Sequence, residues 1–433
     1  MIVRMANSVH GNISLPGDKS ISHRAAMIAA MAEGETRITN FAASADCAST
    51  LACIEALGVK VDRIGSTIVV NGVRKTGFSR PAASLYCGNS GTTMRLLAGI
   101  LAGQNFASMM TGDESLQKRP MQRIIEPLAR MGAVIGSADG TAPLSITGKQ
   151  PLDAIVYQPP VASAQIKSCV LLAGLNSNGV TTVIEPDRSR DHTERMLRWF
   201  GVDVAVIEGL NGSEISVSGD SKLTARDLNV PSDISSAAFF LVAAACLAGS
   251  EITMPNVGLN PSRRAIYDVL VSAGVDITID DDREVSNEPV GTLHIRGGLH
   301  RAKDQPQLML GGGIIANLID EIPILAVLGT QLPNGIEIRD AGELRVKESD
   351  RITSIVDNLR RMGAAVTEFP DGFRVERSVL KGSTIDSFGD HRIAMAFAVA
   401  GLLADGETEI TGAECADISF PGFFETLASV VRS

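Results

Sequence analysis

The sequence predicts an α/β protein of two domains, each built from three copies of one repeated unit. With 433 residues, the chain is long enough for more than one domain, and each half is long enough to bury its own core. A glycine followed by an alternating strand comes after each of six apolar helical segments, at a period of roughly 70 to 85 residues. These glycines are Gly34, Gly103, Gly179, Gly249, Gly335 and Gly406.

Within the repeated unit, an amphipathic helix ends at a glycine that precedes a β-branched strand. This second pattern is present at Gly58, Gly132, Gly201, Gly274 and Gly363. Glycine just after the last helical turn is a common C-terminal cap, so each of these positions predicts the end of a helix. Both patterns keep the same order along the chain, which indicates duplicated supersecondary units.

The two ends of the chain are expected to complete one unit together. The helix near residues 423–430 has no strand after it, whereas residues 2–15 resemble strands with no helix before them. We therefore predict one domain from residues 18–230 and a discontinuous second domain from residues 1–17 and 231–433.

The composition argues against several functional classes. The longest apolar run, residues 237–248, is about half of what a helix needs to cross a bilayer. The N-terminus lacks the pattern of a secretory signal, so we expect a cytoplasmic protein with no membrane partner. A net charge of −10 without a basic stripe argues against a nucleic-acid partner. Local groups of Lys and Arg in such an acidic chain instead predict a small anionic ligand.

Neither cysteine nor histidine shows the spacing of a metal site. The six cysteines are scattered along mostly apolar stretches, at Cys47, Cys53, Cys87, Cys169, Cys246 and Cys415. We expect these thiols to be reduced and structural, with no metal ion bound.

Residues 15–24 predict an anion site at the start of an alanine-rich helix. A Pro-Gly pair ends the preceding strand, and Asp18 or Ser20 can cap the helix. Lys19, Ser20 and Arg24 fall in its first turns, where the helix dipole already favours a phosphate or carboxylate. Taken alone, the same stretch is equally consistent with an ordinary capped helix that carries two surface cations.

Other helix starts repeat this arrangement. Gly88 and Gly91 would let backbone N–H groups approach a ligand, and Asn89 or Ser90 can cap the next helix. Short polar or charged groups also stand at residues 163–168, 231–236, 320–321 and 390–392.

The acids of the fifth start, Asp320 and Glu321, have isoleucines on both sides. A carboxylate that is partly desolvated there could accept a proton. A capping acid would give the same pattern and, for this pair taken alone, is the more common role.

Three polar clusters stand at loop-to-helix junctions, at residues 118–120, 188–195 and 345–351. A single cluster of this kind usually forms a salt-bridged helix surface. Three of them suggest a cleft lined with cations from both domains, which suits a ligand or ligand pair with several negative charges. Because no nucleophile elbow, Walker loop or Rossmann fingerprint is present, the chemistry is expected to depend on proton transfer and charge stabilisation.

Taken together, five segments resemble the 5-enolpyruvylshikimate-3-phosphate (EPSP) synthase family of enolpyruvyl transferases. They are residues 15–24, 88–95, 118–121, 345–351 and 390–395. The resemblance covers nearly the whole chain. It implies two inside-out α/β domains, each of three βαβαββ-type units, with the active site in the cleft between them.

The resemblance also implies a reaction that needs no metal ion and no organic cofactor. The enolpyruvyl group of phosphoenolpyruvate would pass to the 5-hydroxyl of shikimate 3-phosphate by addition and elimination through a tetrahedral intermediate, releasing phosphate. Asp320 would accept a proton, Glu348 would protonate the methylene carbon, and Lys19 would be the third catalytic residue. Shikimate 3-phosphate would be bound by Lys19, Ser20, Arg24, Ser163, Gln165, Asp320 and Lys347. Phosphoenolpyruvate would be bound by Lys19, Gly91, Arg119, Gln165, Arg351 and Arg392.

The chain departs from some family members. No Lys stands just before Phe420-Pro421, and Ala164 replaces a serine between Ser163 and Gln165. These features, with residues 190–194, resemble a class that includes members less sensitive to glyphosate. Gly91, however, is the glycine whose replacement by Ala goes with tolerance. Our hypothesis is that Gly91 leaves room for glyphosate as an inhibitor.

Two alternatives remain at this point. An enolpyruvyl transferase acting on UDP-N-acetylglucosamine would be expected to use a reactive loop cysteine near Arg119, and none of the six cysteines fits. A non-catalytic binding protein of the same fold would be expected to have lost Asp320, Glu348 or Lys19, and all three are present. For either enzyme reading we expect a monomer.

Overall fold

The computed structural model describes residues 1–209, 212–300 and 306–432. The chain divides into two compact units. The central unit comprises Gly17–Pro231 and Glu284–Glu288, and the terminal unit comprises Met1–Pro16, Ser232–Arg283 and Pro289–Ser433. Helices and strands alternate in both, so the predicted α/β class is confirmed.

The described residues form α-helices of two kinds, largely apolar ones and amphipathic ones. They are α1 (Lys19–Met31), α2 (Ala45–Ala56), α3 (Gly91–Ala102), α4 (Gln122–Arg130), α5 (Ala164–Gly174), α6 (His192–Trp199), α7 (Ile234–Cys246), α8 (Ala265–Ser272), α9 (Ile314–Leu318), α10 (Ile322–Gly329), α11 (Arg351–Arg361), α12 (His391–Leu403) and α13 (Phe423–Val430). Short 3-10 helices occupy Leu116–Lys118, Gly342–Val346 and Ala413–Ile418.

The described strands are short, as is usual where each sheet has few members. They are β1 (Ile2–Arg4), β2 (Ser8–Asn12), β3 (Glu33–Thr39), β4 (Lys60–Ile64), β5 (Thr67–Val73), β6 (Leu85–Tyr86), β7 (Ala107–Thr111), β8 (Val134–Ala138), β9 (Thr141–Thr147), β10 (Val156–Tyr157), β11 (Val180–Glu185), β12 (Val204–Gly209), β13 (Gly212–Ser218), β14 (Leu228–Asn229), β15 (Glu251–Gly258), β16 (Val275–Val285), β17 (Glu288–Leu299), β18 (Leu308–Leu310), β19 (Ile336–Ile338), β20 (Val366–Phe369), β21 (Gly372–Val375), β22 (Thr384–Asp386), β23 (Glu407–Thr411) and β24 (Val431–Arg432).

Within its described residues, the central unit contains three four-stranded sheets with one common topology. The orders are β14-β3-β5-β4, β6-β7-β9-β8 and β10-β11-β13-β12. In each sheet the first pair is parallel and the other two pairs are antiparallel. Each of these sheets corresponds to one of the repeated units in the sequence.

The terminal unit also contains three sheets among its described residues, and two of them recruit strands from the start of the chain. Their orders are β1-β23-β22, β18-β19-β21-β20 and β16-β17-β15-β2-β24. β1 pairs antiparallel with β23, and β2 lies parallel to β15 and antiparallel to β24. The two chain ends therefore meet in one sheet.

Each unit has its own hydrophobic core, built around apolar helices. α1, α3 and α5 are buried almost all round in the central unit, as are α7, α10 and α12 in the terminal unit. A helix that is apolar on every side can be stable only in an interior, so the sheets are left to face solvent with their alternating polar side chains. This is the inside-out arrangement that the family resemblance implied.

All five glycines predicted to end helices adopt left-handed backbone conformations. Their φ angles are +89° at Gly58, +96° at Gly132, +88° at Gly201, +83° at Gly274 and +82° at Gly363. Only glycine takes this conformation without steric cost, which is why the pattern is readable in the sequence. Within the described ranges, no helix is both long and apolar enough to span a bilayer.

Candidate active site

In the central unit, the start of α1 presents an ammonium and a hydroxyl group. The carboxylate of Asp18 caps the helix by accepting a hydrogen bond from the N–H of Ile21 at 2.8 Å. Lys19 is the first helical residue, and its Nζ lies 2.9 Å from Asp46 Oδ2. Ser20 follows and is half-buried. With the N–H groups of the first helical turn, these side chains form an arrangement that binds anions.

Arg24 lies one turn further along α1 and is held by hydrogen bonds to two other helices and to α1 itself. Its Nε donates to Thr193 Oγ1 at 2.7 Å, and its Nη2 donates to Ser168 Oγ at 2.9 Å. Its Nη1 donates to the backbone oxygen of Ser20 at 2.9 Å. These bonds fix the guanidinium and connect α1 with α5 and α6.

Burial disfavours the charged form of Arg24. Burial is the main cause that lowers its pKa to about 10; Glu194 opposes the shift and the cation of Arg190 adds to it. Glu194 is itself committed elsewhere, because the Nζ of Lys167 lies 2.7 Å from one of its oxygens and 2.7 Å from Glu185. An anion bound beside Arg24 would therefore favour its charged form.

Gly91 opens α3 next to two guanidinium groups. Ser90 caps the helix. Arg119, which is 7% exposed, donates from Nη2 to Asn89 Oδ1 at 2.6 Å. A Cβ atom at Gly91 would lie 2.9 Å from Arg95 Nη1 and 3.5 Å from Arg119 Nη1. The first distance is too short and the second is an ordinary contact, so glycine leaves room for the Arg95 guanidinium at the start of this helix.

The start of α5 joins the same group through Gln165. Its Oε1 accepts a hydrogen bond from Arg95 Nη1 at 2.6 Å, and its Nε2 donates to Thr92 Oγ1 at 2.9 Å. Arg95 Nη2 also donates to the backbone oxygen of Pro120 at 3.3 Å. Ser163 occupies the N-cap position of α5, but its side chain makes no capping bond.

In the terminal unit, Asp320 lies beside two arginines that open helices. Its Oδ1 is 3.7 Å from Arg351 Nη1 and 3.7 Å from Arg392 Nε. Arg392 Nη1 also donates to the backbone oxygen of Asp320 at 3.1 Å. The Asp320 side chain is 20% exposed, so the carboxylate is reachable although it is mostly enclosed.

Arg351 is almost fully buried, and carboxylates keep it charged. Its Nη2 donates to Glu348 Oε2 at 2.7 Å, and its Nε donates to Asp390 Oδ2 at 2.7 Å. Burial opposes the charge, but Asp390, Glu348 and Asp320 outweigh this effect and raise the pKa of Arg351. Glu348 is thereby held beside the same guanidinium that faces Asp320.

Lys347 adds an ammonium group to the side chains around Asp320. Its Nζ lies 3.6 Å from Glu343 Oε1. Burial lowers the pKa of Lys347, although Glu343, Asp320 and Glu348 favour its charged form. A bound anion would favour the charged form further.

The capping role considered for the acids before α10 is wrong for Glu321. Glu321 occupies the N-cap position, and its side chain makes no capping bond. It instead accepts a hydrogen bond from the hydroxyl of Ser235. In the part of the chain that the structure describes, no group of three or more His, Cys, Asp or Glu side chains is placed to hold a metal ion.

Both units therefore place guanidinium and ammonium groups at helix starts, which is an arrangement suited to phosphate and carboxylate groups. Comparison with known proteins agrees with this chemistry. The family model described as EPSP synthase (3-phosphoshikimate 1-carboxyvinyltransferase) matches residues 3–427. The chain belongs to the EPSP synthase family.

Individual family members show how close the similarity is. A 3-phosphoshikimate 1-carboxyvinyltransferase from Solibacter usitatus is 50% identical over 429 residues, which cover 99% of this chain and 98% of that protein. One from Koribacter versatilis is 51% identical over 433 residues, with 99% of each chain covered. A solved EPSP synthase structure from Acinetobacter baumannii has a TM-score of 0.85 at 42% identity, covering 100% of this chain and 98% of that chain.

The structure brings the predicted site residues together in two groups. Gly91, Arg119 and Gln165 meet around Arg95 in the central unit, where Lys19, Ser20 and Arg24 share the start of α1. In the terminal unit, charge interactions link Asp320, Lys347, Glu348, Arg351 and Arg392.

Sequence reasoning missed two arginines of these groups. Arg95 contacts Gln165, and Arg263 lies 3.7 Å from Asp320. Arg95 lies in segment 88–95, one of the five that resemble the family, but no function was predicted for its side chain. Arg263 belongs to a polar loop just before α8, which is the kind of loop-to-helix junction that marked the other clusters.

Proposed function

We propose that this chain transfers the enolpyruvyl group of phosphoenolpyruvate to the 5-hydroxyl of shikimate 3-phosphate and releases phosphate. Membership of the EPSP synthase family supports this activity. The structural observation that carries the proposal is the carboxylate of Asp320 flanked by Arg351 and Arg392, because it places a proton acceptor directly beside cations suited to phosphoenolpyruvate.

The substrate contacts are proposals that follow the predicted set. Shikimate 3-phosphate is assigned to Lys19, Ser20, Arg24, Ser163, Gln165, Asp320 and Lys347. Phosphoenolpyruvate is assigned to Lys19, Gly91, Arg119, Gln165, Arg351 and Arg392. Three arginines suit a ligand that carries both a phosphate and a carboxylate, since guanidinium groups can bind either one with two parallel hydrogen bonds.

The reaction needs two proton movements. Asp320 accepts the proton of the 5-hydroxyl while that oxygen bonds to C2 of phosphoenolpyruvate, and Glu348 donates a proton to C3. The resulting tetrahedral intermediate then loses phosphate from C2 and a proton from C3, which restores the double bond in the product. Lys19 and the arginines stabilise the charge on the departing phosphate.

The two carboxylates have different surroundings. Glu348 is hydrogen-bonded to Arg351, whereas Asp320 meets the same guanidinium at 3.7 Å. Two carboxylates in different environments are expected where one accepts and the other donates a proton.

The UDP-N-acetylglucosamine reading has less support. It requires a reactive thiol, but burial raises the pKa of Cys47 to about 12, of Cys246 to about 12 and of Cys415 to about 11. Such thiols stay protonated and unreactive near neutral pH. A hydrogen bond with Cys87 lowers the pKa of Cys53, but that side chain is only 2% exposed and out of reach of a substrate. The binding-protein reading is disfavoured because Lys19, Asp320 and Glu348 are all retained.

The partners are small molecules, with glyphosate proposed as an inhibitor. Monomeric state and cytoplasmic location are also part of this proposal, and sedimentation of the purified protein with and without substrates tests the former.

The central experiment measures phosphate release from phosphoenolpyruvate with and without shikimate 3-phosphate. We expect release to require both substrates and to fall by roughly a hundredfold or more in Asp320→Ala and Arg119→Ala. Asp268→Ala and Arg130→Ala are matched controls, because both side chains are more than half exposed and lie in i,i+4 pairs. Wild-type protein that binds shikimate 3-phosphate but releases no phosphate would instead support a binding protein.

A further inference from the structure

Arg263 is a buried arginine to which the sequence assigned no role. It lies between β15 and α8 and is 3% exposed. Its backbone N–H donates to the oxygen of Asn260 at 2.8 Å, and Asn260 Oδ1 accepts from the N–H of Ser262 at 2.9 Å. The loop is thus a defined turn. Because a buried cation is unfavourable unless acids or hydrogen bonds compensate, the partners of Arg263 indicate what it does.

One side of the guanidinium is anchored at the starts of two buried helices. Its Nη2 lies 2.5 Å from Ser235 Oγ, 3.5 Å from Asp233 Oδ1 and 3.8 Å from Glu321 Oε1. Asp233 caps α7, and Glu321 stands at the N-cap position of α10. These contacts hold Nη2 between the starts of both helices.

The other side of the guanidinium faces Asp320. Arg263 Nη1 lies 3.7 Å from Asp320 Oδ2, whereas Arg351 and Arg392 both approach Oδ1. The two carboxylate oxygens are therefore divided: Oδ2 faces the anchored arginine and Oδ1 faces the arginines assigned to phosphoenolpyruvate.

We propose that Arg263 is a positioning residue that holds the Asp320 carboxylate from its Oδ2 side and leaves Oδ1 oriented for proton transfer. This inference rests on the proposed function. When phosphoenolpyruvate binds to Arg351 and Arg392, Arg263 still contacts Asp320. It therefore sets both the orientation and the charge of the proton acceptor in the substrate complex.

The charged groups around Asp320 determine how this role is tested. Arg263 faces it from the loop before α8, Arg351 from α11 and Arg392 from α12. Lys347 acts from the segment before α11, and Glu321 is the next residue in the chain. Removing one cation from this set makes the ionised carboxylate less favourable, so proton acceptance requires a higher pH.

The test compares Arg263→Gln and Arg263→Lys with the matched control Arg264→Gln. Arg264 is the adjacent residue, 41% exposed, and its Nη2 lies 3.8 Å from Asp268. We expect Arg263→Gln to lower kcat roughly tenfold or more, with KM for both substrates within about threefold of wild type. The acidic limb of the kcat–pH profile should move up by about one pH unit. Arg264→Gln should match wild type in all three quantities.

Arg263→Lys separates charge from geometry. The ammonium keeps the positive charge, but it lacks the fork that contacts Ser235 and Asp320 together. We expect the acidic limb to stay within about half a pH unit of wild type and kcat to fall at least threefold, roughly. This variant carries the test if Arg263→Gln does not fold.

Two outcomes would overturn the inference. A folded Arg263→Gln with wild-type kcat and an unmoved acidic limb would show that Asp320 does not depend on Arg263. Wild-type kcat in Arg263→Lys would show that the fork geometry is unnecessary. Either result beside an active wild type leaves the proposed function intact, whereas an inactive wild type would overturn both.

Discussion

Gly91→Ala adds one methyl group where α3 begins between two arginines. The new Cβ would lie 2.9 Å from Arg95 Nη1, about 0.5 Å closer than an ordinary contact. Because the atoms in the way are the ends of flexible side chains, the guanidinium of Arg95 should move and the helix should stay. That guanidinium donates to Gln165 at 2.6 Å, and a charge-assisted bond of this kind contributes about 1.5–3 kcal/mol.

If the displaced guanidinium loses roughly half of that bond and the same amount of phosphoenolpyruvate binding, the cost is about 0.75–1.5 kcal/mol. Since 1.4 kcal/mol is a factor of ten, KM for phosphoenolpyruvate should rise about 3- to 12-fold. Thermal stability should stay equal or rise slightly, because Gly91 has no positive φ and alanine is a better helix former.

The assay is phosphate release at varied phosphoenolpyruvate, paired with a thermal melt and a glyphosate inhibition constant. Gly179→Ala is the control, because its new Cβ would meet only Ala154 Cβ, at 3.3 Å. An unchanged KM in a folded Gly91→Ala would refute the displacement of Arg95. Comparable inhibition constants for wild type and Gly91→Ala would refute the idea that Gly91 leaves room for glyphosate.

Two further predictions concern buried charges in the central unit. Burial, Lys19 and Arg24 lower the pKa of His23, so the unfolded chain binds protons better than the folded protein does. Below about pH 6, the free energy of unfolding of the wild type, measured by urea melts, should therefore fall by about 1 kcal/mol per pH unit relative to that of His23→Gln. The same pH dependence in both proteins would contradict this prediction. Lys167→Met leaves Glu185 and Glu194 buried without their cation, so it should lower the free energy of unfolding, measured with guanidinium chloride, by about 3–5 kcal/mol. The control Lys149→Met removes an exposed ammonium group and should lower it by less than about 1 kcal/mol. Equal decreases in the two variants would contradict the prediction.

The parts of the fold that could be predicted from the sequence depend on local chemistry. A helix that ends at Gly58 or Gly132 needs a residue with positive φ, and glycine marks the position directly. Likewise, Asp18 and Ser90 could be predicted as helix caps, because a capping side chain accepts its hydrogen bond from an N–H group only three residues further along the chain. The family could be predicted for the same reason, because its motifs are short continuous segments, and the match to the family model confirms that prediction.

The remaining parts of the site depend on partners far away in the chain. Arg95 reaches Gln165 across 70 positions, and Arg263 reaches Asp233 across 30. No periodicity connects such residues, because their proximity is created by the packing of whole helices. For the same reason, the sequence could not decide whether Glu321 caps its own helix or accepts a bond from Ser235 on another helix.

The meeting of the two chain ends has a consequence for biosynthesis. The amino group of Met1 donates to the backbone oxygen of Ile410, and β2 pairs with β24 at the last described residues. Most of the central unit is one continuous stretch that can fold while the ribosome is still translating the rest. β2 can pair with β15 before then, but β1 cannot pair with β23, nor β2 with β24, until residues 407–432 have been made. We therefore expect refolding to show a fast phase from the central unit and a slower phase that reports closure of the terminal sheet.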